Sequence, residues 1–282
     1  MKEKSYAKIN VALNVVKALS NGYHELDMIN VSIRLHDTIK VKFNKTGEIK
    51  LSSNDHHLPV DDTNTVVKII QKVKQQFKLD FGCDVYIQKR IPQQSGLGGG
   101  SGNAAAILKL LNKKFKLKMT PVQMINFVKP ISSDAPYQLI NYPSRVKKMG
   151  EDVKPFECKL KGKLFVIKPK SGNSTQKVFE NLKDETMDHP NINKVERAMK
   201  DGNSELLSKH VTNSLLKSAC ELNKDIEPII EKLKNLGFEV VSMSGSGSTC
   251  FAYSKNKKVY KAAKNYFVKD NYDVCKSYSF IK

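Results

Sequence analysis

The chain has 282 residues, 40% of them hydrophobic, and a formal charge of +20 from 48 Lys and Arg against 28 Asp and Glu. That length suits one large domain or two ordinary ones with a real core, and no apolar run approaches the ~18 residues of a membrane-spanning helix. The basic residues are spread along the whole chain without a dense Arg/aromatic tract, which argues against nucleic acid as the main partner and suits an anionic small substrate.

Five cysteines (Cys83, Cys158, Cys220, Cys250, Cys275) are scattered and form no C-x-x-C pair. Free thiols in a reducing cytoplasm are expected, not disulfides or a zinc site. Met1-Lys2-Glu3-Lys4-Ser5 enters strand-like sequence without an apolar h-region, so no signal peptide is expected.

Residues 5–17 alternate as a strand, with Ile9, Val11, Leu13 and Val15 on one face. Lys8, Asn10, Ala12 and Asn14 share the other, so Lys8 and Asn10 are neighbours; on these residues alone a solvated face is the expected place for the lysine. Asn21-Gly22 reads as a turn. Tyr23 and His24 follow it and offer either a stacking ring with an imidazole or a turn anchor with an exposed His. Met28 to Ile33 follow, and strands are expected at 37–43 and 48–51, joined as a hairpin through Asn44-Lys45-Thr46-Gly47. Asp61-Asp62-Thr63-Asn64 precedes apolar residues at helical spacing (Val66, Val67, Ile69, Ile70, Val73), which predicts a capped helix start.

Five of the 15 glycines fall between Gly96 and Gly102, in Pro92-Gln93-Gln94-Ser95-Gly96-Leu97-Gly98-Gly99-Gly100-Ser101-Gly102-Asn103. A strand-like run (Cys83 to Gln88) precedes this stretch and an Ala/Leu-rich helix to about Phe115 follows. A glycine turn opening a helix N-terminus is suited to phosphate. Ser101 and Asn103 are placed either to cap the helix or to reach a metal-bound phosphate. No G-x-x-x-x-G-K-[ST] is present, and Ser101 breaks the G-x-G-x-x-G register.

Thr120-Pro121 opens another helix. Pro130 and Pro136 then fence Asp134 off from regular helix, in a fixed pose or an ordinary turn. Residues 151–155 read as a connector and 163–169 as a strand. Helices are expected from near 174 and at about 191–201, 203–220 and 224–236. A strand at 239–243, the loop Ser244-Gly245-Ser246-Gly247-Ser248, a strand at 249–253, a helix at 256–268 and a strand at 273–280 close the chain.

One strand lysine, one fenced aspartate and two glycine-serine loops fit phosphoryl transfer to a hydroxyl, which needs mainly positioning and charge neutralisation. Ala7-Lys8-Ile9-Asn10, Gly22-Tyr23-His24-Glu25-Leu26, Pro92 through Ala105, Ser133-Asp134-Ala135-Pro136 and Met243 through Gly247 occur in this order. Over essentially its full length the chain resembles the GHMP kinase superfamily. Within it, Gly22-Tyr23-His24-Glu25-Leu26 is similar to the members acting on a cytidine-diphosphate-linked methylerythritol, in the non-mevalonate isoprenoid pathway.

The resemblance implies an α+β, two-domain GHMP kinase fold. Residues 1–150 would form an ATP-binding domain of the ribosomal protein S5 domain 2 type, and 151–282 a ferredoxin-like domain contributing to the substrate site. It implies ATP and Mg²⁺ as cofactors and phosphorylation of the substrate's 2-hydroxyl. Asp134 matches the catalytic base, and Lys8 its partner at the acceptor hydroxyl. Pro92, Gly96, Leu97, Gly98, Gly99, Gly100, Ser101 and Gly102 match the ATP phosphate loop, with Ser101 near Mg-ATP, and Asn64 matches an adenine-pocket residue. Asn10, Tyr23, His24, Phe179, Gly245 and Ser246 match substrate contacts; Tyr23 and Phe179 would be the rings around cytosine. Departures are Gly102 in place of a second serine, which removes a hydroxyl from the phosphate shell, Ser132 in place of a glycine, and Asn141-Tyr142-Pro143-Ser144-Arg145 in place of a glycine-rich segment. Another GHMP kinase acting on a mevalonate-like alcohol, and a basic nucleic-acid binder with an S5-like domain, are the alternatives; monomer and homodimer both remain open.

Overall fold

A computed structural model describes residues 1–20 and 22–281; Asn21 of the expected turn lies outside them. Packing divides the chain discontinuously into two compact units, one of 1–7, 35–91 and 98–141, the other of 8–34, 92–97 and 142–282.

In the first unit, strand Gly82–Gln88 runs antiparallel to Thr38–Asn44 and parallel to Ile49–Ser53. Alternation turns Ile39, Val41, Cys83, Val85 and Ile87 inward, and Lys40 and Lys42 to solvent. Helices Thr65–Gln76 and Gly99–Lys114 bury Val66, Ile69, Ile70, Val73, Ile107, Leu108 and Leu111 in the same core. Helix Pro121–Val128 starts with a full capping box, Thr120 with Gln123.

In the second unit, a four-stranded antiparallel sheet has the order Tyr272–Ser279, Lys163–Pro169, Cys250–Tyr253, Val240–Met243. Helices precede the pair 240–243/250–253 and another precedes the last strand, which is the ferredoxin-like arrangement. Strand Ser144–Lys148 pairs with Leu26–Asn30 and with Asp152–Pro155.

Several expectations are corrected. The strand expected at 37–43 starts much earlier, as His24–Asn44. The hairpin across Asn44–Gly47 does not form, because Gly82–Gln88 lies between the two segments. Cys83 N donates to Glu48 O, and Gly82 is tucked so tightly under the turn that a Cβ there would lie 2.1 Å from Asn44 Oδ1. Residues 152–155 are a strand, not a connector. The helix expected over 203–220 breaks into Ser204–His210 and Leu216–Leu222. Between them Thr212 and Ser214 hydrogen-bond along the strand at Leu13, so backbone bonding to a strand wins over helix propensity there. Pro136 does not fence off a helix; it sits in the first turn of Ala135–Ile140, where a missing N–H costs nothing.

No helix among the described residues is long and apolar enough to cross a membrane. All five cysteines are free thiols. Burial pushes the Cys83 and Cys220 thiols up to about 11 and raises those of Cys250 and Cys275. Thiolate is the reactive form. Ellman's reagent near neutral pH should therefore label the native protein slowly and all five cysteines fast once guanidinium unfolds it. Rapid labelling of all five in the native protein would contradict this burial.

Candidate active site

In the second unit, Lys8 and Asn10 do share one side of their strand, but that side is not solvated: the residues are only 4% and 1% exposed. A buried ammonium needs partners. Lys8 Nζ donates to Asn10 Oδ1, and Asn10 Nδ2 donates to Asn30 Oδ1 at 2.7 Å. Asn30 Nδ2 has no partner among the described residues. The result is a lysine charge held by a short chain of amides.

The same unit brings Gly96 and Leu97, which open the first glycine stretch, and the second glycine-serine loop to this strand. Lys8 N donates to Leu97 O at 3.0 Å. Asn10 N donates to Ser244 Oγ, which itself donates to Gly96 O. Gly96 (φ +71°) approaches so closely that a Cβ would lie 2.0 Å from Ser244 O, a place only glycine can take. Gly245 packs against Asn10 and Gly96. Asn213 Nδ2 donates to Met243 O and Gly245 O, and Ser246 Oγ bonds Thr175 Oγ1.

His24 and Phe179 come together in this unit as well, with ring centroids 4.9 Å apart and planes tilted 33°. Tyr23 is 60% exposed. Phe179 thus packs against the imidazole of His24. Pro92 lies in the turn before Gly96, where its carbonyl accepts from Ser95 Oγ.

In the first unit, the helix begins at Gly99, earlier than its alanines suggest. Its N-cap is Gly98, left-handed at φ +67°, and among the described residues no side chain caps it. Neither Ser101 nor Asn103 caps the helix; both lie inside it. The first intrahelical bond runs from Gly102 N to Gly98 O at 2.9 Å. The N–H groups of Gly99, Gly100 and Ser101 therefore lack helical acceptors and carry the positive end of the helix dipole. Ser101 Oγ pairs with Ser132 Oγ at 2.6 Å, and Thr65 Oγ1 donates to Gly100 O. A Cβ at Gly102 would lie 2.5 Å from Ser5 Oγ and 3.3 Å from Tyr6 O. Glycine there follows from close packing, because a side chain would run into this unit's own strand.

Asp134 is half-buried at the start of Ala135–Ile140, and its side chain makes no cap. Ala135 N donates to Ser132 O, closing the turn that carries it. Asn64 is a helix cap: Oδ1 accepts from Val66 N and Nδ2 donates to Pro59 O. Both ends of its amide are occupied locally. Lys8 belongs to the second unit and Asp134 to the first.

Sequence reading missed the support beneath the glycine stretch. Asp37, fully buried, accepts from Lys89 Nζ at 2.5 Å, Arg90 N at 2.7 Å and Ile91 N at 2.8 Å. Lys89 Nζ also lies 3.1 Å from where a Gly99 Cβ would be. The only sequence signal was a charged pair, Lys89-Arg90, placed just before the turn. In Arg145, where glycines were expected, the guanidinium bonds both Asp27 oxygens and Glu196. Those carboxylates hold its proton even more firmly than usual, the hydrogen bonds to Asp27 contributing most.

The family models for the GHMP kinase N-terminal and C-terminal domains match residues 64–139 and 195–273. A Clostridium botulinum protein named 4-diphosphocytidyl-2-C-methyl-D-erythritol kinase is 33% identical, covering 94% of this chain and 96% of its own. An Alkaliphilus metalliredigens protein of that name is also 33% identical, covering 90% of this chain and 87% of its own. A crystal structure of 4-(cytidine 5'-diphospho)-2C-methyl-D-erythritol kinase matches over 100% of both chains with a TM-score of 0.81 at 22% identity, a likeness of fold.

Removing one member of a buried ion pair strands the other charge and costs about 3–5 kcal/mol. Asp37→Ala should therefore lower the unfolding free energy by about that much in urea melts. A loss below about 1 kcal/mol would show that Asp37 is not the anchor of the glycine stretch.

Proposed function

Because this chain belongs to the GHMP kinase family, we propose that it transfers the terminal phosphoryl group of ATP to the 2-hydroxyl of 4-diphosphocytidyl-2-C-methyl-D-erythritol, in isoprenoid precursor synthesis. The observation that carries this reading is the uncapped helix N-terminus at Gly98–Ser101, entered through a glycine turn. Three backbone N–H groups there have no helical acceptor, and the Ser101 hydroxyl, paired with Ser132, lies beside them, which suits a polyphosphate.

Each remaining residue takes the role its chemistry allows. Gly96 to Ser101 hold the phosphates. Asp134 accepts the proton of the attacking hydroxyl, and the carboxylate is the only ionisable group on its turn. Lys8, held by Asn10, lowers the pKa of that hydroxyl and offsets the negative charge that develops on its oxygen. His24 hydrogen-bonds the cytosine, with Phe179 and Tyr23 supplying ring surface. Asn10, Gly245 and Ser246 line the substrate end.

Among the described residues no group of three His, Cys, Asp or Glu could cage a metal. Mg²⁺ favours oxygen ligands and usually rides on substrate phosphates with one or two protein oxygens. The donor set fits that mode: Ser101 Oγ would reach such an ion, which when bound neutralises phosphate charge.

ADP release should depend on the cytidine substrate and stay at background with mevalonate or with no acceptor. Equal turnover with mevalonate would overturn the substrate assignment. Asp134→Ala should cut kcat by at least about a thousandfold while nucleotide affinity stays within about twofold. Near-normal turnover in that variant would remove Asp134 from proton transfer. For His24→Ala the expected change is a roughly tenfold higher KM for the cytidine substrate, with kcat less affected; an unchanged KM would take His24 out of cytosine recognition.

A further inference from the structure

The Ser101–Ser132 pair is a contact that the proposed chemistry leaves unused. Its oxygens lie 2.6 Å apart, partly buried, and either can donate. Ser101 is in the first turn of Gly99–Lys114. Ser132 is two residues before Asp134, and its backbone is tied on both sides. Its N–H donates to Val128 O at 3.0 Å, and its carbonyl accepts from Ala135 N at 3.2 Å. The hydroxyl that meets Ser101 is therefore presented from a fixed support.

A serine hydroxyl carries one proton, two acceptor positions and a nearly free rotor. To serve a nucleotide, Ser101 must turn its proton to a phosphate oxygen or its lone pair to a cation. A hydroxyl neighbour suits both cases: Ser132 donates to Ser101 Oγ in the first and accepts its proton in the second. Either way the partner is in place before the ligand arrives, and when Ser132 donates, hydrogen bonding in series polarises the Ser101 O–H. An apolar residue at 132 can do neither.

We propose that Ser132 is a positioning residue for the nucleotide: its hydroxyl sets the orientation of Ser101 and joins the phosphate-binding helix to the turn that carries Asp134. The inference rests on the reading that Ser101 faces the phosphates.

Calorimetric titration with ADP and with a non-hydrolysable ATP analogue tests it on the wild type, S101A, S132A, S132T and S101A/S132A, with thermal melts of each. S132A should weaken binding about three- to tenfold, the net worth of one hydrogen bond. S132T, which keeps the hydroxyl, should bind within about twofold of wild type. The double variant should bind no more weakly than S101A, because the two residues act as one unit. A purely structural Ser132 would lower the melting temperature and leave affinity alone, and that result overturns the proposal. So does a double variant in which the two losses add. If S101A leaves affinity unchanged, the phosphate-loop reading itself fails. If S101A weakens binding and S132A does not, only the role of Ser132 falls.

Discussion

Ser244 accepts the Asn10 backbone N–H at 3.1 Å and donates to the Gly96 carbonyl, 148 positions away in sequence, at 3.0 Å. This one hydroxyl fixes the strand that carries Lys8, the approach to the glycine stretch and the second glycine-serine loop. It works because Gly96 has no side chain: a Cβ there would overlap the Ser244 carbonyl. Backbone amides at this depth must be paired or carry a desolvation cost. The Lys8 N–H is met by Leu97 O and the Gly247 N–H by Ser244 O. The register of Lys8 and Asn10 against the loops is thus a matter of satisfied backbone groups, and the side-chain chemistry follows from it.

A comparable constraint operates in the first unit. Asp37 gathers an ammonium and two backbone N–H groups at the point where strand Gly82–Gln88 ends. A carboxylate with three donors is well compensated for burial. The chain leaves that anchor and later re-enters as a helix whose first turn is glycine, glycine, serine. Bulk is excluded there for separate reasons. Gly99 faces Ile91 and the Lys89 ammonium, and Gly102 faces Ser5 and Tyr6. The helix N-terminus stays bare on the side that Gly100 leaves open. The helix N-terminus therefore has little room to gain side chains, and what it can offer an anion is mainly main-chain N–H groups.

Periodicity and caps made most elements legible. The cap among Asp61-Asp62-Thr63-Asn64, the Thr120-Pro121 start and the helix expected at about 224–236 are local signals, and the structure has all three. Ordered motifs made the family legible. What stayed hidden depends on pairing between distant segments. The parallel pairing of Ile49–Ser53 with Gly82–Gln88 has no local signature, so a turn-like Asn44–Gly47 read as a hairpin. Alternation put Lys8 beside Asn10 correctly, yet gave no means of knowing that both faces of that strand are covered. Asp37 and Lys89 are 52 residues apart, and nothing in either neighbourhood marks the other as its partner. Gly102 looked like a lost hydroxyl; its reason, contact with Ser5 and Tyr6, exists only in three dimensions.

Phosphoryl transfer asks a protein for position and charge more than for covalent chemistry. A buried amide-held lysine, an aspartate on a closed turn and a bare helix N-terminus are the parts such a reaction uses. The proposed chemistry sends the phosphoryl group to one hydroxyl of one acceptor. Phosphorus NMR of the product formed from ATP and 4-diphosphocytidyl-2-C-methyl-D-erythritol tests it most directly. The expected result is one new phosphomonoester signal beside those of ADP, placed on the methylerythritol C2 oxygen by its coupling to that carbon, with the diphosphate linkage intact. ADP with inorganic phosphate and no new monoester, or a monoester on any other hydroxyl, would contradict it.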